Sequence, residues 1–74
     1  MIEIFGKDNC PYCDRAITLA ERLAVDFTYK KLDTDFTREQ LFEQFPGAKT
    51  FPQIRINGEA IGGYTEFLHY SHGV

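Results

Sequence analysis

The hydrophobic pattern of the chain predicts short strands that alternate with helices. Strands are expected where apolar and β-branched residues fill short runs bounded by turn residues. These runs span residues 2–5, 27–32, 53–56 and 59–61. Asn57-Gly58 separates the last two runs, and this dipeptide favours the tight type I′ turn of an antiparallel hairpin.

Three helices are expected between and after these strands. Apolar residues between positions 14 and 24 recur at the three- and four-residue spacing of an amphipathic helix. A capping-box pattern at 37–40 predicts a second helix, which Pro46-Gly47 ends. Thr65 is the candidate cap of a last, short helix that ends at residues 73–74.

The resulting order, β-α-β-α-β-β-α, predicts an α/β fold. We expect a four-stranded mixed sheet flanked by helices on both faces, with the first two strands parallel because a helix joins them. The 74 residues are predicted to form a single domain, residues 1–74. The aromatic residues expected in the core are Phe27, Phe36, Phe42, Phe45 and Phe67.

Arg55 departs from the apolar pattern of its strand. A charged residue in a strand covered on both faces needs a partner of opposite charge. We therefore expect Arg55 to lie on a partly open face of the sheet and to pair with a carboxylate, with Glu3 as one candidate.

Composition and charge exclude several classes of protein. Eight Lys and Arg residues against eleven Asp and Glu residues give a net charge of −3, which argues against a general nucleic-acid binder. No apolar run approaches the roughly 18 residues of a membrane span. The N-terminus, with Glu3 and no long apolar stretch, does not resemble a secretory signal. We therefore expect neither a nucleic-acid nor a membrane partner.

Cys10 and Cys13 carry the candidate chemistry, and several interpretations are open. A structural disulfide across so short a loop would add only about 2 kcal/mol by chain entropy and would join no distant segments. A zinc site would need His69 and His72 as its two remaining ligands, at a permissible spacing. Two inert cysteines are hard to reconcile with the neighbouring residues, which favour the last interpretation, a redox pair.

Cys10 is predicted to lie at the N-terminus of a helix. Pro11 suits the first helical position, so the unpaired N–H groups and the helix dipole would stabilise an anion at Cys10. Lys7 adds a positive charge three residues earlier. Both effects favour the thiolate, which is the nucleophile. Cys13, one helical turn later, is expected to be more buried, so one sulfur can attack and the other resolve.

Three motifs, in order, resemble those of glutaredoxins in the thioredoxin-like superfamily. Residues 10–13, Cys-Pro-Tyr-Cys, match the dithiol glutaredoxin active site. Residues 50–54, Thr-Phe-Pro-Gln-Ile, resemble the Thr-Val-Pro-Gln-Ile segment that contains a cis-proline. Residues 61–67, Ile-Gly-Gly-Tyr-Thr-Glu-Phe, resemble the segment that binds glutathione. The resemblance covers nearly the whole chain and implies a thioredoxin-like fold.

The resemblance also implies a role for each matched residue. Cys10 would be the attacking thiolate and Cys13 the resolving thiol. Glutathione would be a co-substrate, with no tightly bound cofactor and no metal. The residues expected to bind it are Lys7, Tyr12, Thr50, Phe51, Pro52, Gly63, Tyr64, Thr65 and Glu66.

Each part of glutathione has an expected contact under this resemblance. Lys7 would reach the glycine carboxylate, and the backbone of Phe51 would pair with the cysteine backbone. The helix start at residues 64–66 would bind the γ-glutamyl carboxylate. The sequence departs from the family at Phe51, usually a small aliphatic residue, and at Glu66, usually Asp. Because backbone pairing does not depend on the side chain, Phe51 bears on substrate preference rather than on catalysis.

The implied activity is glutathione-dependent thiol–disulfide exchange. Its substrates would be protein disulfides and glutathione mixed disulfides in the cytoplasm, with ribonucleotide reductase as a candidate partner and a monomer as the expected state. One alternative is an iron–sulfur module that holds a cluster between two subunits through Cys10 and glutathione, which Pro11 disfavours. Another is a thioredoxin-type reductant supplied by a flavoprotein reductase.

Overall fold

The computed structural model describes residues 1–72, and its elements follow the predicted order. The strands are β1 (Ile2–Gly6), β2 (Phe27–Lys31), β3 (Gln53–Ile56) and β4 (Glu59–Gly62). The helices are α1 (Pro11–Arg22), α2 (Arg38–Gln44) and α3 (Tyr64–His72). The predicted end of the last helix at 73–74 lies outside the described residues. Within residues 1–72, no helix has the length and apolar character needed to cross a membrane.

The strands form one mixed sheet in the order β2-β1-β3-β4. Strand β1 pairs with β2 in parallel and with β3 in antiparallel orientation, and β3 pairs with β4 in antiparallel orientation. Asn57 and Gly58, between β3 and β4, have φ angles of 52° and 84°, as both central positions of a type I′ turn require. The predicted fold class and hairpin are therefore confirmed.

One face of the sheet is covered by α1 and α3. Ile2 and Ile4 of β1 point to this face, where they pack against Ala16 and Ala20 of α1 and Phe67 of α3. Small alanines at the contact allow α1 to approach the sheet closely. This core is the larger of the two that flank the sheet.

The opposite face carries a smaller, aromatic core that includes α2. Phe5 of β1 packs against Phe36, Leu41 and Phe45, with ring centroids 5.3 Å from Phe36 and 5.2 Å from Phe45 in edge-to-face geometry. The prediction that Phe42 is a core residue is wrong, because it is 46% exposed. Successive helical residues point about 100° apart, so Leu41 faces the core and Phe42 turns away from it.

Helix α1 ends two residues before its predicted end at Ala24. The N–H of Ala24 donates to the carbonyl of Glu21 at 3.1 Å, and Ala24 has a left-handed φ of 54°. Leu23 lies outside the helix but still packs against the core between the sheet and helices α1 and α3. The apolar pattern therefore continues past the point at which the helix stops.

Arg55 and Glu3 form the expected ion pair on the α2 face of the sheet. They face each other across β1 and β3, and the Nε and Nη2 atoms of Arg55 donate to the two Glu3 oxygens at 2.9 Å and 2.6 Å. Lys30 of β2 donates to Glu3 Oε2 at 3.0 Å. These hydrogen bonds, that from Arg55 above all, lower the pKa of Glu3 from 4.5 to about 2.

The lowered pKa predicts how Glu3 contributes to stability at acid pH. Because Glu3 is more acidic in the folded protein, its contribution is complete above about pH 4.5 and is lost as the pH falls towards 2. Glu3→Gln should lower the free energy of unfolding at neutral pH by about 1–3 kcal/mol. Urea unfolding over this pH range should show a steeper decline for the parent protein than for Glu3→Gln. Parallel declines would contradict the ion-pair assignment.

Candidate active site

The strand register brings three separate segments to one edge of the sheet. Phe5, near the end of β1, lies opposite Gln53 at the start of β3, and Gly62 at the end of β4 lies opposite Ile54. The loop after β1, the turn before β3 and the turn after β4 therefore meet. The residues of interest on these segments are Cys10, Phe51-Pro52 and Gly63.

Cys10 and Cys13 are joined by a disulfide at the start of α1, with their Cα atoms 5.2 Å apart. Cys10 is the N-cap residue, and its Sγ accepts a hydrogen bond from the Cys13 N–H at 3.2 Å. Cys10 is half-buried, whereas Cys13 is completely buried. The outer sulfur thus lies at a helix N-terminus, where an anion is stabilised, and the inner sulfur is shielded from solvent.

Pro52 follows a cis peptide bond from Phe51, as the resemblance implied. Its side chain is buried, and Phe51 packs beside the aromatic core of α2. The side-chain amide of Gln53 donates to the carbonyl of Thr50 at 2.7 Å and closes the turn. Gln53 was predicted only as part of a motif, but this bond gives it a structural role in the site.

Helix α3 is capped by Glu66, and the prediction that Thr65 is the cap is wrong. Thr65 is the second helical residue, and the carbonyl of Gly63 accepts the N–H of Phe67 at 3.1 Å. Glu66 Oε1 accepts the N–H of Gly63 at 2.8 Å. This is the reciprocal half of a capping box, in which the third helical residue reaches back, and its charge also suits the helix dipole.

Gly62 has a backbone conformation that favours glycine, and Gly63 lies close to the cis-proline turn. Gly62 has a φ of 120°, and a Cβ atom there would come within 2.8 Å of the Cγ of Glu66. A Cβ atom at Gly63 would lie 3.2 Å from the carbonyl oxygen of Pro52. The turn after β4 therefore packs against the cis-proline turn through backbone atoms.

A groove of about 290 Å³ opens between Tyr12, the cis-proline turn and the start of α3. Its volume is near the lower end of the roughly 300–1,000 Å³ usual for small-molecule sites. The lining residues are Tyr12, Thr50, Phe51, Pro52, Gly63, Tyr64, Thr65 and Glu66. The fold therefore brings together eight of the nine residues expected to bind glutathione. The ninth, Lys7, lies outside the lining, with its ammonium group 5.5 Å from the ring centroid of Phe51.

Tyr12 forms an exposed aromatic wall of this groove. Its side chain is 54% exposed, and its ring centroid lies 5.9 Å from that of Tyr64. The Arg15 guanidinium lies 5.1 Å from the Tyr12 centroid, within cation–π range. Arg15 was not predicted, although it is three residues after Tyr12, a spacing that places two side chains side by side on a helix.

The loop after β1 is tied to β2 by an ion pair. Lys31 Nζ lies 3.0 Å from Asp8 Oδ1, and this hydrogen bond raises the pKa of Lys31. The pair is exposed and contributes little to stability. The carboxylate of Asp8 is therefore paired with Lys31 and not with the neighbouring Lys7. Lys7 makes no ion pair with any of the residues 1–72.

The histidines do not complete a metal site with the cysteines. His69 and His72 lie in the last turn of α3. No three or more His, Cys, Asp and Glu side chains in the described part of the chain form a group that could hold a metal ion. The zinc interpretation therefore lacks its cluster of ligands.

An accessible and a shielded cysteine at a helix start, at the same edge of the sheet as a cis-proline turn, define a thiol–disulfide oxidoreductase of the thioredoxin-like fold. The sequence model of the glutaredoxin family matches residues 2–61. The chain is 44% identical to Glutaredoxin 1 of Escherichia coli over 86% of this chain and 84% of that protein. The chain therefore belongs to the glutaredoxin family.

Solved structures agree with this assignment. Reduced glutaredoxin of Escherichia coli aligns with a TM-score of 0.86 and 34% identity over 97% of this chain and 93% of that chain. A buckwheat glutaredoxin–glutathione complex aligns with a TM-score of 0.83 and 26% identity over 97% of this chain and 68% of that chain. Glutaredoxins use glutathione as their reductant. With its dithiol pair, the chain is a glutathione-dependent thiol–disulfide oxidoreductase.

The capping bond of Glu66 predicts a measurable loss of stability. Glu66→Ala leaves the Gly63 N–H without its acceptor and should lower the free energy of unfolding by about 1 kcal/mol. Glu66→Gln should cost less, because its amide oxygen can still accept the bond. Urea unfolding measures both changes, with Glu59→Ala on the exposed part of β4 as the matched control. Equal losses for Glu66→Ala and Glu59→Ala would refute the capping role.

Proposed function

We propose that the protein reduces protein disulfides and glutathione mixed disulfides through attack by Cys10 and resolution by Cys13. The observation that carries this assignment is the difference in exposure of the two sulfur-bearing residues, since Cys10 is half-buried and Cys13 is completely buried. A thiolate must reach its target disulfide to attack it. Only Cys10 meets this requirement from the surface.

In the proposed cycle, the Cys10 thiolate attacks one sulfur of a target disulfide, and the other sulfur leaves as a thiolate. Cys13 then attacks the Cys10 sulfur, which releases the reduced target and forms the Cys10–Cys13 disulfide. One glutathione thiolate opens this disulfide at Cys10, and a second removes the glutathionyl group as glutathione disulfide. The two glutathione molecules thereby supply the two electrons that reduce the target. For a glutathione mixed disulfide, Cys10 alone suffices.

We assign glutathione to the groove beside Tyr12. The γ-glutamyl carboxylate would lie at the start of α3, where the first N–H groups of a helix are free to bind an anion. The Phe51 backbone would pair with the cysteine of glutathione, and Lys7 would meet the glycine carboxylate. Support comes from the convergence of eight predicted residues on one groove and from the glutathione complex of the buckwheat relative.

We further infer a cytoplasmic monomer that folds as one domain over residues 1–74 and needs no tightly bound cofactor. A reducing compartment keeps dithiols available for attack, which the cycle requires. One chain supplies the whole groove, so a second subunit is not needed to complete it. Ribonucleotide reductase, whose catalysis forms a disulfide, is our candidate protein target by analogy with the family.

The roles of the two cysteines can be separated with a glutathionylated peptide and glutathione as the only reductant. Cys10→Ser should reduce turnover to the uncatalysed level, because no accessible thiol remains. Cys13→Ser should retain turnover, because the Cys13 N–H that bonds to Cys10 Sγ belongs to the backbone. Coupling to glutathione reductase and NADPH measures the rate.

Two outcomes of this assay would count against the proposal. Turnover by Cys10→Ser comparable with that of the parent protein would exclude Cys10 as the nucleophile. A parent protein that is inactive with glutathione, yet active with thioredoxin reductase, would belong to the thioredoxin-type reductants instead.

A further inference from the structure

The side chain of Phe51 has no part in the proposed cycle, which uses only its backbone. The ring packs beside the aromatic core of α2 and also lines the groove. The ammonium group of Lys7 lies 5.5 Å from the centroid of this ring, within the range of a cation–π contact. The Phe51 ring therefore contacts both the aromatic core and the ammonium group of Lys7.

A contact of this kind would hold the Lys7 ammonium group in one position, where it can bind an anionic group of the substrate. Lys7 is exposed, it lies in the loop after β1, and within residues 1–72 it has no carboxylate partner. A free lysine side chain populates many rotamers, and holding it in one position has an entropic cost at the moment of binding. A contact that holds the ammonium group beforehand removes part of that cost.

We propose that Phe51 is a positioning residue for Lys7, and that its ring holds the ammonium group at the mouth of the groove. The pair then sets how tightly the groove binds substrates that present a carboxylate there. This inference rests on the proposed function, in which Lys7 meets the glycine carboxylate of glutathione. A small aliphatic side chain at position 51 has no aromatic face and would leave the ammonium group unheld.

The size of the effect follows from the strength of an exposed cation–π contact. Such a contact corresponds to a change of about 2- to 5-fold in an equilibrium constant. Phe51→Leu should therefore raise KM for a glutathionylated peptide by about 2- to 5-fold and leave kcat unchanged. Phe51→Tyr, which keeps an aromatic face, should retain the KM of the parent protein.

A double-mutant cycle separates positioning from packing. In the Lys7→Gln background, Phe51→Leu should produce no further rise in KM, because the cation that the ring holds is gone. Phe42→Leu is the matched control, since Phe42 is an exposed phenylalanine that does not line the groove. It should leave KM unchanged in both backgrounds. Phe51→Met provides the same comparison as Phe51→Leu if the leucine variant does not fold.

A second substrate identifies the group that Lys7 meets. The same peptide can be joined to glutathione whose glycine carboxylate is esterified, which removes one negative charge and leaves the disulfide intact. With this substrate, the rise in KM caused by Lys7→Gln and by Phe51→Leu should be smaller than with the unmodified substrate, because the carboxylate that the pair contacts has lost its charge. A rise in KM for Phe51→Leu that is as large with the ester as without it, or as large in the Lys7→Gln background as in the parent protein, would overturn the positioning role.

The outcomes distinguish this inference from the function on which it rests. If Lys7→Gln raises KM for the unmodified substrate and Phe51→Leu does not, the positioning role is wrong while the assignment of Lys7 stands. If Lys7→Gln has no effect on KM, both the assignment of Lys7 and the positioning role are overturned. Loss of glutathione-dependent turnover in Cys10→Ser would still support the proposed cycle in either case.

Discussion

The central place of β1 in the sheet is the constraint on which the rest of the structure depends. Because β1 pairs with both β2 and β3, Ile4 enters the core under α1 while its neighbour Phe5 enters the core under α2. The end of β1 leads into the loop that carries Cys10, and antiparallel β3 starts at the same edge. The disulfide links positions only three apart, so these two cores, rather than a covalent link between distant segments, maintain the site.

Where one local feature determined the structure, the sequence was sufficient to predict it. The turn at Asn57-Gly58 follows from backbone preferences, and the pairing of Arg55 with Glu3 follows from a charge in an apolar strand. The cap of α3 could not be predicted, because Thr65 and Glu66 are both competent and only the packing around Gly63 selects between them. The exposure of Phe42 was missed for a similar reason, since α2 is too short to define a periodic apolar face.

Two cations lie beside the groove, although the chain as a whole is negatively charged. The net charge is −3, yet Lys7 and Arg15 lie over the rings of Phe51 and Tyr12, two residues that line the groove. Each cation lies against an aromatic face and forms no ion pair with a carboxylate of residues 1–72, so its charge remains available to an anionic ligand. The helix starts of α1 and α3 add two further positive ends at the same edge.

The occupant of the groove is tested most directly by amide chemical shifts. The amide chemical shifts of ¹⁵N-labelled Cys13→Ser protein can be recorded before and after Cys10 is converted to its glutathionyl disulfide. If glutathione lies in the groove, the largest shift changes will fall at Phe51 and at residues 63–66, as well as at the start of α1. The adjoining 520 Å³ cavity shares Thr50, Gly63 and Glu66 with the groove but is also lined by residues 45–49 and 60–62. Changes confined to the start of α1, or centred on residues 45–49 and 60–62, would contradict that placement.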